Sequence, residues 1–321
     1  MKLIKLLVTG ASGFVGRALV SRLSGESKLT VRAALRRETP GFPAKIEVVQ
    51  VGELNGATNW RVALSGVDIV LHTAARAHIL NEIAGDPLAE FRQVNVCGTL
   101  ALAQQAVQAG VKRFIFISSI GVNGNQSSRP FTVEDVPSPT EPYAVSKYEA
   151  ELALHQLATE TGMEVVIIRP PLVYGPNAPG NFGRLIKTVS KGIPLPLGAI
   201  HNRRSLVALD NLVDLLVTCI DHPAAANQTF LVSDGEDLST TELLRRMGNA
   251  LGKPARLLPV PSWLLETGAG LLGKQALSQR LCGSLQVDIS KTREILNWTP
   301  PVSVDEALRR TAKYFLEQQA K

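Results

Sequence analysis

Nothing in this chain reads as a metal site or a disulfide framework. The three cysteines, Cys97, Cys219 and Cys282, lie far apart and make no C-x-x-C pair, which points to a reducing compartment. His72, His78, His155, His201 and His222 lack metal-ligand spacing, so no metal is expected. There is no run of five like charges and no aromatic interleaving among the basic residues. A nucleic-acid surface needs a clustered basic stripe, so no nucleic-acid partner is expected. Long apolar runs are missing too. Trp263–Leu272, the most apolar late stretch, is too short to span a bilayer and includes Glu266. The opening residues run directly into an apolar strand, so no signal peptide is expected. A cytoplasmic protein without an integral membrane segment is expected.

What is present is ordinary for a globular protein: 321 residues, 45% hydrophobic and 19% charged. That length can bury a sizeable core, as two domains or as one with a lobe. A net charge of +6 and a pI near 9.3 suit an anionic ligand or a membrane surface.

The first informative segment is the N-terminus. Leu6 to Val8 forms a short apolar run that fits a buried parallel strand. Gly10, Gly13 and Gly16 come next in G-x-x-G-x-x-G spacing, and Arg17-Ala-Leu-Val-Ser-Arg-Leu continues with helical periodicity. A strand, a glycine turn and a helix in that order make a dinucleotide site, because backbone N–H groups can approach a pyrophosphate at the positive end of the helix. The spacing departs from G-x-G-x-x-G. A second strand, Thr30 to Leu35, ends in Arg36-Arg37, about 20 residues past Gly16. An NAD-selective site usually places Asp or Glu there to hold the ribose 2′-hydroxyl. Two arginines suit a 2′-phosphate instead, Arg36 being the better placed to bond it bidentately. NADP(H) is therefore the expected cofactor, with NAD(H) as the other choice.

The second informative segment is Pro142-Tyr-Ala-Val-Ser-Lys. Tyr143 and Lys147 are four apart and share a helix face. A free tyrosine has a pKa of about 10. A lysine cation and an oxidised nicotinamide ring together would lower it by about two or three units. Ser119, at the end of an apolar strand, would orient the carbonyl or alcohol of a substrate.

Apolar runs recur at 46–51, 68–73, 113–118 and 165–169, each followed by a helical or loop segment. That alternation predicts an α/β fold with a doubly wound parallel sheet. Asn95-Val-Cys-Gly-Thr is expected to open a helix through about Ala109, capped by Gly110. Past Arg169, prolines at 170, 171, 176, 179, 194 and 196 predict a looping lobe rather than more sheet repeats. The expected division is a Rossmann domain over 1–168 and a smaller substrate lobe over 169–321, with segments returning to the first. Amphipathic helices are expected at 241–251 and 304–318.

With these residues in hand, the chain resembles the extended short-chain dehydrogenase/reductases, in their nucleotide-sugar epimerase/dehydratase branch. The marks are T-G-A-S-G-F-V-G at 9–16, H-T-A-A at 72–75, N-V-C-G-T at 95–99 and S-S-I-G-V-N-G at 118–124. Y-A-V-S-K at 143–147 and R-P-P-L-V-Y-G-P at 169–176 continue them. The resemblance implies Ser119, Tyr143 and Lys147 as the catalytic set, with Asn95 supporting it. For the cofactor it implies Ser12, Phe14 and Val15 beside the glycines, then Glu53 and Leu54 near the adenine. Thr73, Ala74, Ala75, Ser118, Pro170 and Val173 complete that set. For a UDP-sugar it implies Asn181, Arg204 and Arg280 at the diphosphate, with Arg76, His78, Ser119 and Ile120 near the sugar. It also implies a homodimer built through two helices per subunit.

Members of this branch move a hydride between nicotinamide and a sugar carbon, usually C4, and differ in their later steps. Dehydratases add an acidic residue after the active-site hydroxyl. Here Ser119 is followed by Ile120 and Gly121, which cannot carry a proton. Arg36-Arg37 and the overall resemblance favour a 4-keto reductase making UDP-N-acetylquinovosamine from UDP-2-acetamido-2,6-dideoxy-hexos-4-ulose for O-antigen synthesis. A UDP-sugar 4-epimerase with retained NAD is the alternative. A non-catalytic dinucleotide sensor is a third, which the intact Ser119, Tyr143 and Lys147 oppose. Leu285 would leave room for an N-acetyl group.

Overall fold

The computed structural model describes residues 3–77, 85–271, 273 and 275–320. In chain order its first elements are β1 (Ile4–Thr9), α1 (Phe14–Leu23), β2 (Leu29–Leu35), β3 (Glu47–Gln50), α2 (Arg61–Leu64) and β4 (Ile69–His72). Then come α3 (Pro87–Arg92), α4 (Thr99–Gln108), β5 (Arg113–Ile117), α5 (Pro142–Thr161) and β6 (Glu164–Arg169). The later part holds β7 (Leu172–Tyr174), α6 (Gly180–Ser190), β8 (Arg204–Ala208), α7 (Leu209–Asp221), β9 (Gln228–Leu231) and β10 (Asp237–Leu238). It closes with α8 (Thr240–Ala250), α9 (Ser262–Leu271), α10 (Gln275–Cys282), α11 (Ser290–Leu296) and α12 (Val304–Gln319).

Seven strands form one parallel sheet in the order β3-β2-β1-β4-β5-β6-β9. Because β1 lies between β2 and β4, the strand order reverses there. The carboxyl ends of β1 and β4 therefore open the crevice in which such sheets bind ligands. Alternate residues of the strands feed two cores. Leu6, Val8 and Ile115 meet Leu19 of α1 and Leu212 of α7 on one face. Leu7, Val70, Phe114 and Phe116 meet Leu102 of α4 and Leu154 of α5 on the other. Central strands buried on both faces need the near-continuous apolar runs seen in the sequence.

Past Arg169 the chain builds more sheet than its prolines suggest. β9 extends the main sheet beside β6, with Val166 opposite Gln228. β10, β8 and β7 make a separate three-stranded sheet over a third core that includes Tyr174, Phe182, Leu244 and Leu308. β7 and β10 span three and two residues, too few to carry a periodic signal among prolines. The helix expected from Asn95 also starts earlier. Asp86 caps α3 by accepting from the Ala89 N–H at 3.1 Å, and Pro87 takes the first helical position. Gln93–Gly98 then runs as a π-helical turn into α4. Among the described residues no helix is long and apolar enough to cross a membrane, and no cluster could hold a metal ion.

Candidate active site

The glycine turn is tightly folded. Gly10 has φ +64°, and a Cβ there would sit 2.7 Å from the backbone of Ala74. A Cβ on Gly16 would collide with the Gly10 carbonyl oxygen. The Gly13 N–H donates to that same oxygen at 2.8 Å, closing the turn. Gly13 is the N-cap of α1 and brings no side chain to its first N–H groups, which leaves them to a ligand. Ser12 and Gly13 are exposed, Phe14 and Val15 half-buried. Thr73, Ala74 and Ala75 come after β4 alongside, where the Thr73 hydroxyl donates to the Thr9 carbonyl at 2.7 Å. Ser118, at the end of β5, has a buried hydroxyl oxygen with no partner. A donor-rich turn and an orphaned hydroxyl fit a dinucleotide laid over the crevice.

Tyr143 and Lys147 lie in the first two turns of α5, which Pro142 opens. Asn95 anchors that end of the helix from the π-helical turn. Its Oδ1 accepts from the Arg76 N–H at 2.9 Å, and its Nδ2 donates to the Arg76 carbonyl at 3.2 Å and to the Ser146 hydroxyl at 3.0 Å. Ser146 in turn donates to the Tyr143 carbonyl at 2.8 Å. The extra residue of a π turn re-aims a side chain, which is why such turns recur at functional sites. Phe91 packs edge-on against the Tyr143 ring at 5.9 Å, and the Arg76 guanidinium stands 5.8 Å over Phe91.

Ser119 accepts from the Gly121 N–H at 3.1 Å. That contact fixes its oxygen and leaves its O–H free to donate. The Ile120 N–H donates to the Pro170 carbonyl at 3.0 Å, stitching the ends of β5 and β6 together. The Ile120 side chain and Pro170 are buried, and Val173 is half-buried. Ile120 and Leu285 both belong to the core on the α1 face.

Burial dominates the electrostatics. It pushes the Tyr143 phenol up to about 12. It pulls the Lys147 ammonium down to about 7, with the Glu151 carboxylate opposing the fall. Lys147 Nζ stands 3.8 Å over the Phe116 ring. The lowering expected from Lys147 and an oxidised nicotinamide together is not a property of the chain alone. In the chain burial raises the phenol, and further positive charge is needed to bring it down. His72, in the H-T-A-A segment, is structural: its ring bridges the hydroxyls of Thr9 at 2.6 Å and Thr99 at 2.9 Å. Burial, helped by Lys147, holds it neutral with its pKa lowered to about 3.

The segment after β3 brings Glu53 against both arginines, 3.6 Å from Arg36 and 4.0 Å from Arg37. All three are exposed, so a carboxylate stands beside the two cations there. Leu54 fits against Gly98, where a Cβ would be 2.8 Å from the leucine Cγ. Of the residues proposed for substrate, Asn181 lies in the first turn of α6. Arg204 opens β8 and donates to the Gly283 carbonyl at 3.0 Å. Arg280 on α10 donates at 2.9 Å to the carboxylate of Glu141, which lies just ahead of Tyr143 in the chain. The Arg280 charge and burial together lower the Arg204 pKa, burial contributing more, so the two cations share one region. His78 lies outside the described residues.

Sequence reading missed Glu151, Ser146 and Phe116. Glu151 forms a buried pair with Arg169 at 2.5 Å, and Arg169 also donates to Asn123 at 3.0 Å. That network ties α5, β6 and the loop after Ser119 into one block. The signal available was Lys147-x-x-x-Glu151, an i, i+4 pair. The partners of Ser146 and Phe116 are set by packing across elements and leave no spacing to read.

A family model described as the NAD dependent epimerase/dehydratase family matches residues 6–233. A UDP-glucose 4-epimerase of Vibrio cholerae is 49% identical over 315 residues, covering 97% of this chain and 95% of that one. An N-acetyl-α-D-glucosaminyl-diphospho-ditrans,octacis-undecaprenol 4-epimerase of Escherichia coli O157:H7 is 26% identical, over 96% of this chain and 94% of its own. Among solved structures, a UDP-glucuronic acid 4-epimerase of Bacillus cereus in complex with NAD superposes with TM-score 0.81 at 23% identity, covering 99% and 98% of the two chains. A UDP-glucose 4-epimerase of Thermotoga maritima with UDP-glucose gives 0.79 at 22%, covering 98% and 100%. At those identities the superpositions establish the fold.

Proposed function

The chain belongs to the NAD dependent epimerase/dehydratase family, and from that premise we propose that it is a UDP-sugar 4-epimerase with a retained NAD. The observation that carries this reading is the near full-length relationship to the Vibrio cholerae UDP-glucose 4-epimerase. It favours the epimerase alternative over the 4-keto reductase expected from the sequence.

In this reading the glycine turn of Gly10, Gly13 and Gly16 holds the dinucleotide, with Ser12, Phe14, Val15, Thr73, Ala74, Ala75, Ser118, Pro170 and Val173 around it. Glu53 and Leu54 flank the adenine. A bound NAD would supply the redox chemistry at the sugar C4 and the positive charge beside the phenol. Tyr143 takes the proton of the C4 hydroxyl and gives it back, and Ser119 donates its free O–H to the same oxygen. Proton transfer of this kind contributes about 10²–10⁴-fold. Lys147 holds the ribose beside the phenol. Asn95 fixes the turn that carries both. Asn181, Arg204 and Arg280 grip the diphosphate, where guanidinium forks match paired oxygens, while Arg76 and Ile120 border the sugar. Ile120 and Gly121 offer no acid for dehydration. Residues 1–168 form the cofactor half and 169–321 mainly the sugar half, and the chain pairs in a homodimer through two helices per subunit.

Arg36 and Arg37 favour a second reading, a reductase exchanging NADPH each turnover, although Glu53 offsets part of their charge. The test is to add UDP-glucose, UDP-galactose and their N-acetyl counterparts to purified protein without free cofactor. Interconversion is expected. No interconversion, with NADPH consumed by the 4-keto-6-deoxy sugar nucleotide, contradicts it. In Tyr143→Phe, turnover should fall by about 10²–10⁴-fold while NAD binding persists. A wild type that binds NAD and turns over nothing would leave a sensor.

A further inference from the structure

One corner of the sugar half is built unlike the rest of the surface. α9 has ten residues and buries none of them. Trp263 is 65% exposed, Leu264 48% and Leu271 86%. At helical spacing, Trp263, Leu264, Thr267, Gly268 and Leu271 fall on one stripe without a charge. The opposite side holds Leu265, which packs on the third core, and Glu266, whose charge acts on Cys282 of α10. The segment leading to α9 adjoins its first turn, where Ala199 pairs with Pro261 and the Leu264 N–H donates to the Pro261 carbonyl at 3.1 Å. Residues 195–198 and 256–258 run side by side, joined by Leu195 N–H to the Arg256 carbonyl at 2.9 Å and Leu258 N–H to the Leu195 carbonyl at 2.8 Å. Ile193 and Leu258 are exposed there by 46% and 52%.

Cations border this surface. Lys191, Lys253 and Arg256 are all exposed, and no carboxylate among the described residues pairs with them. Lys253 reaches back to the Ser190 carbonyl at 3.4 Å, which places it beside the end of α6.

We propose that α9 and the adjoining 193–198 and 256–258 segments form a docking face for an anionic lipid bilayer. An uncharged apolar stripe bordered by lysine and arginine lies flat in a headgroup layer, with its apolar side chains at the acyl boundary. Tryptophan favours that interface because its ring is apolar and its indole N–H is polar. The cations then meet anionic headgroups, an attraction that falls off within a Debye length. A protein partner would have to cover both the apolar stripe and unpaired cations with matching carboxylates. A bilayer supplies both environments at once.

Trp263 is also the reporter. The other two tryptophans, Trp60 and Trp298, are buried, so a change in emission on binding comes from Trp263. The experiment uses the full chain with vesicles of phosphatidylcholine alone and of phosphatidylcholine with phosphatidylglycerol. Flotation with the anionic vesicles, with a blue shift of Trp263 emission that high salt reverses, is expected. Leu264→Ser/Leu271→Ser and Lys191→Glu/Arg256→Glu should each weaken that binding by about tenfold, with circular dichroism unchanged. Absence of flotation and of any blue shift overturns the proposal. So does binding that the folded variants leave intact. An oligomer that Leu264→Ser/Leu271→Ser splits in sedimentation overturns it too, in favour of a second copy on this face.

Discussion

Burial, rather than any charged neighbour, sets the protonation of the two central side chains. Tyr143 stays a phenol, and Lys147 gives up much of its hold on a proton, in the chain by itself. For Lys147 the folded value of about 7 lies below the ordinary 10.5. Between those two values the unfolded chain binds the extra proton, so stability rises with pH across that window and the cost is full below about 7. Lys147→Met removes the cost. Stripped of cofactor, the variant should gain most over wild type at about pH 6, and the gain should shrink towards about pH 10, as read by urea unfolding. An equal offset at both pH values would mean that Lys147 is not desolvated. At this scale the sequence was legible where chemistry demands a spacing. Tyr143 and Lys147 sit four apart on α5 as read. Phe116 under the lysine was not readable, because its contact depends on β5 passing beneath α5.

The elements work as fixed mounts. Glu151 and Arg169 join α5 to β6 out of reach of water. Breaking such a pair leaves one buried charge alone, at about 3–5 kcal/mol. Glu151→Ala should lower the unfolding free energy by that order, with the loss seen in the urea midpoint. A change under about 1 kcal/mol would show that Arg169 finds another partner. The glycine turn is held as firmly. In Gly16→Ala the new methyl collides with the Gly10 carbonyl oxygen. Overpacking of that kind costs about 1–3 kcal/mol, and the displaced turn should weaken NAD binding in a fluorescence titration. Unchanged affinity would argue that the pyrophosphate lies elsewhere. The strand–turn–helix around Gly10 was legible, since glycine spacing and an apolar strand have one common solution. The start of α3 was also written, in Asp86-Pro87, but the Asn95 motif drew the boundary to itself. The π turn at Gln93–Gly98 had no sequence signal, because the side chains that fit a π turn also fit an α-helix.

At the scale of the molecule, the sheet order puts the glycine turn, the end of β4 and the Ser118-Ser119 corner along one crevice. The alternation of apolar runs foretold the parallel sheet itself. The part past Arg169 was harder to read: β7, β8 and β10 are short, and what aligns them is contact with segments far along the chain, as where Arg204 meets Leu285. Cofactor choice was hardest. Arg36 and Arg37 were visible as a pair, but Glu53 comes against them only because β3 lies next to β2. A retained NAD requires that the hydride removed from C4 return to C4 of the same sugar. The direct test is to turn over a UDP-sugar deuterated at C4, with unlabelled NADH in solution, and to locate the label by mass spectrometry and NMR. The proposed epimerase gives the inverted product with deuterium still at C4 and none in the free dinucleotide. Loss of the label from the sugar to the free dinucleotide would contradict it and return the chain to the exchanging oxidoreductases.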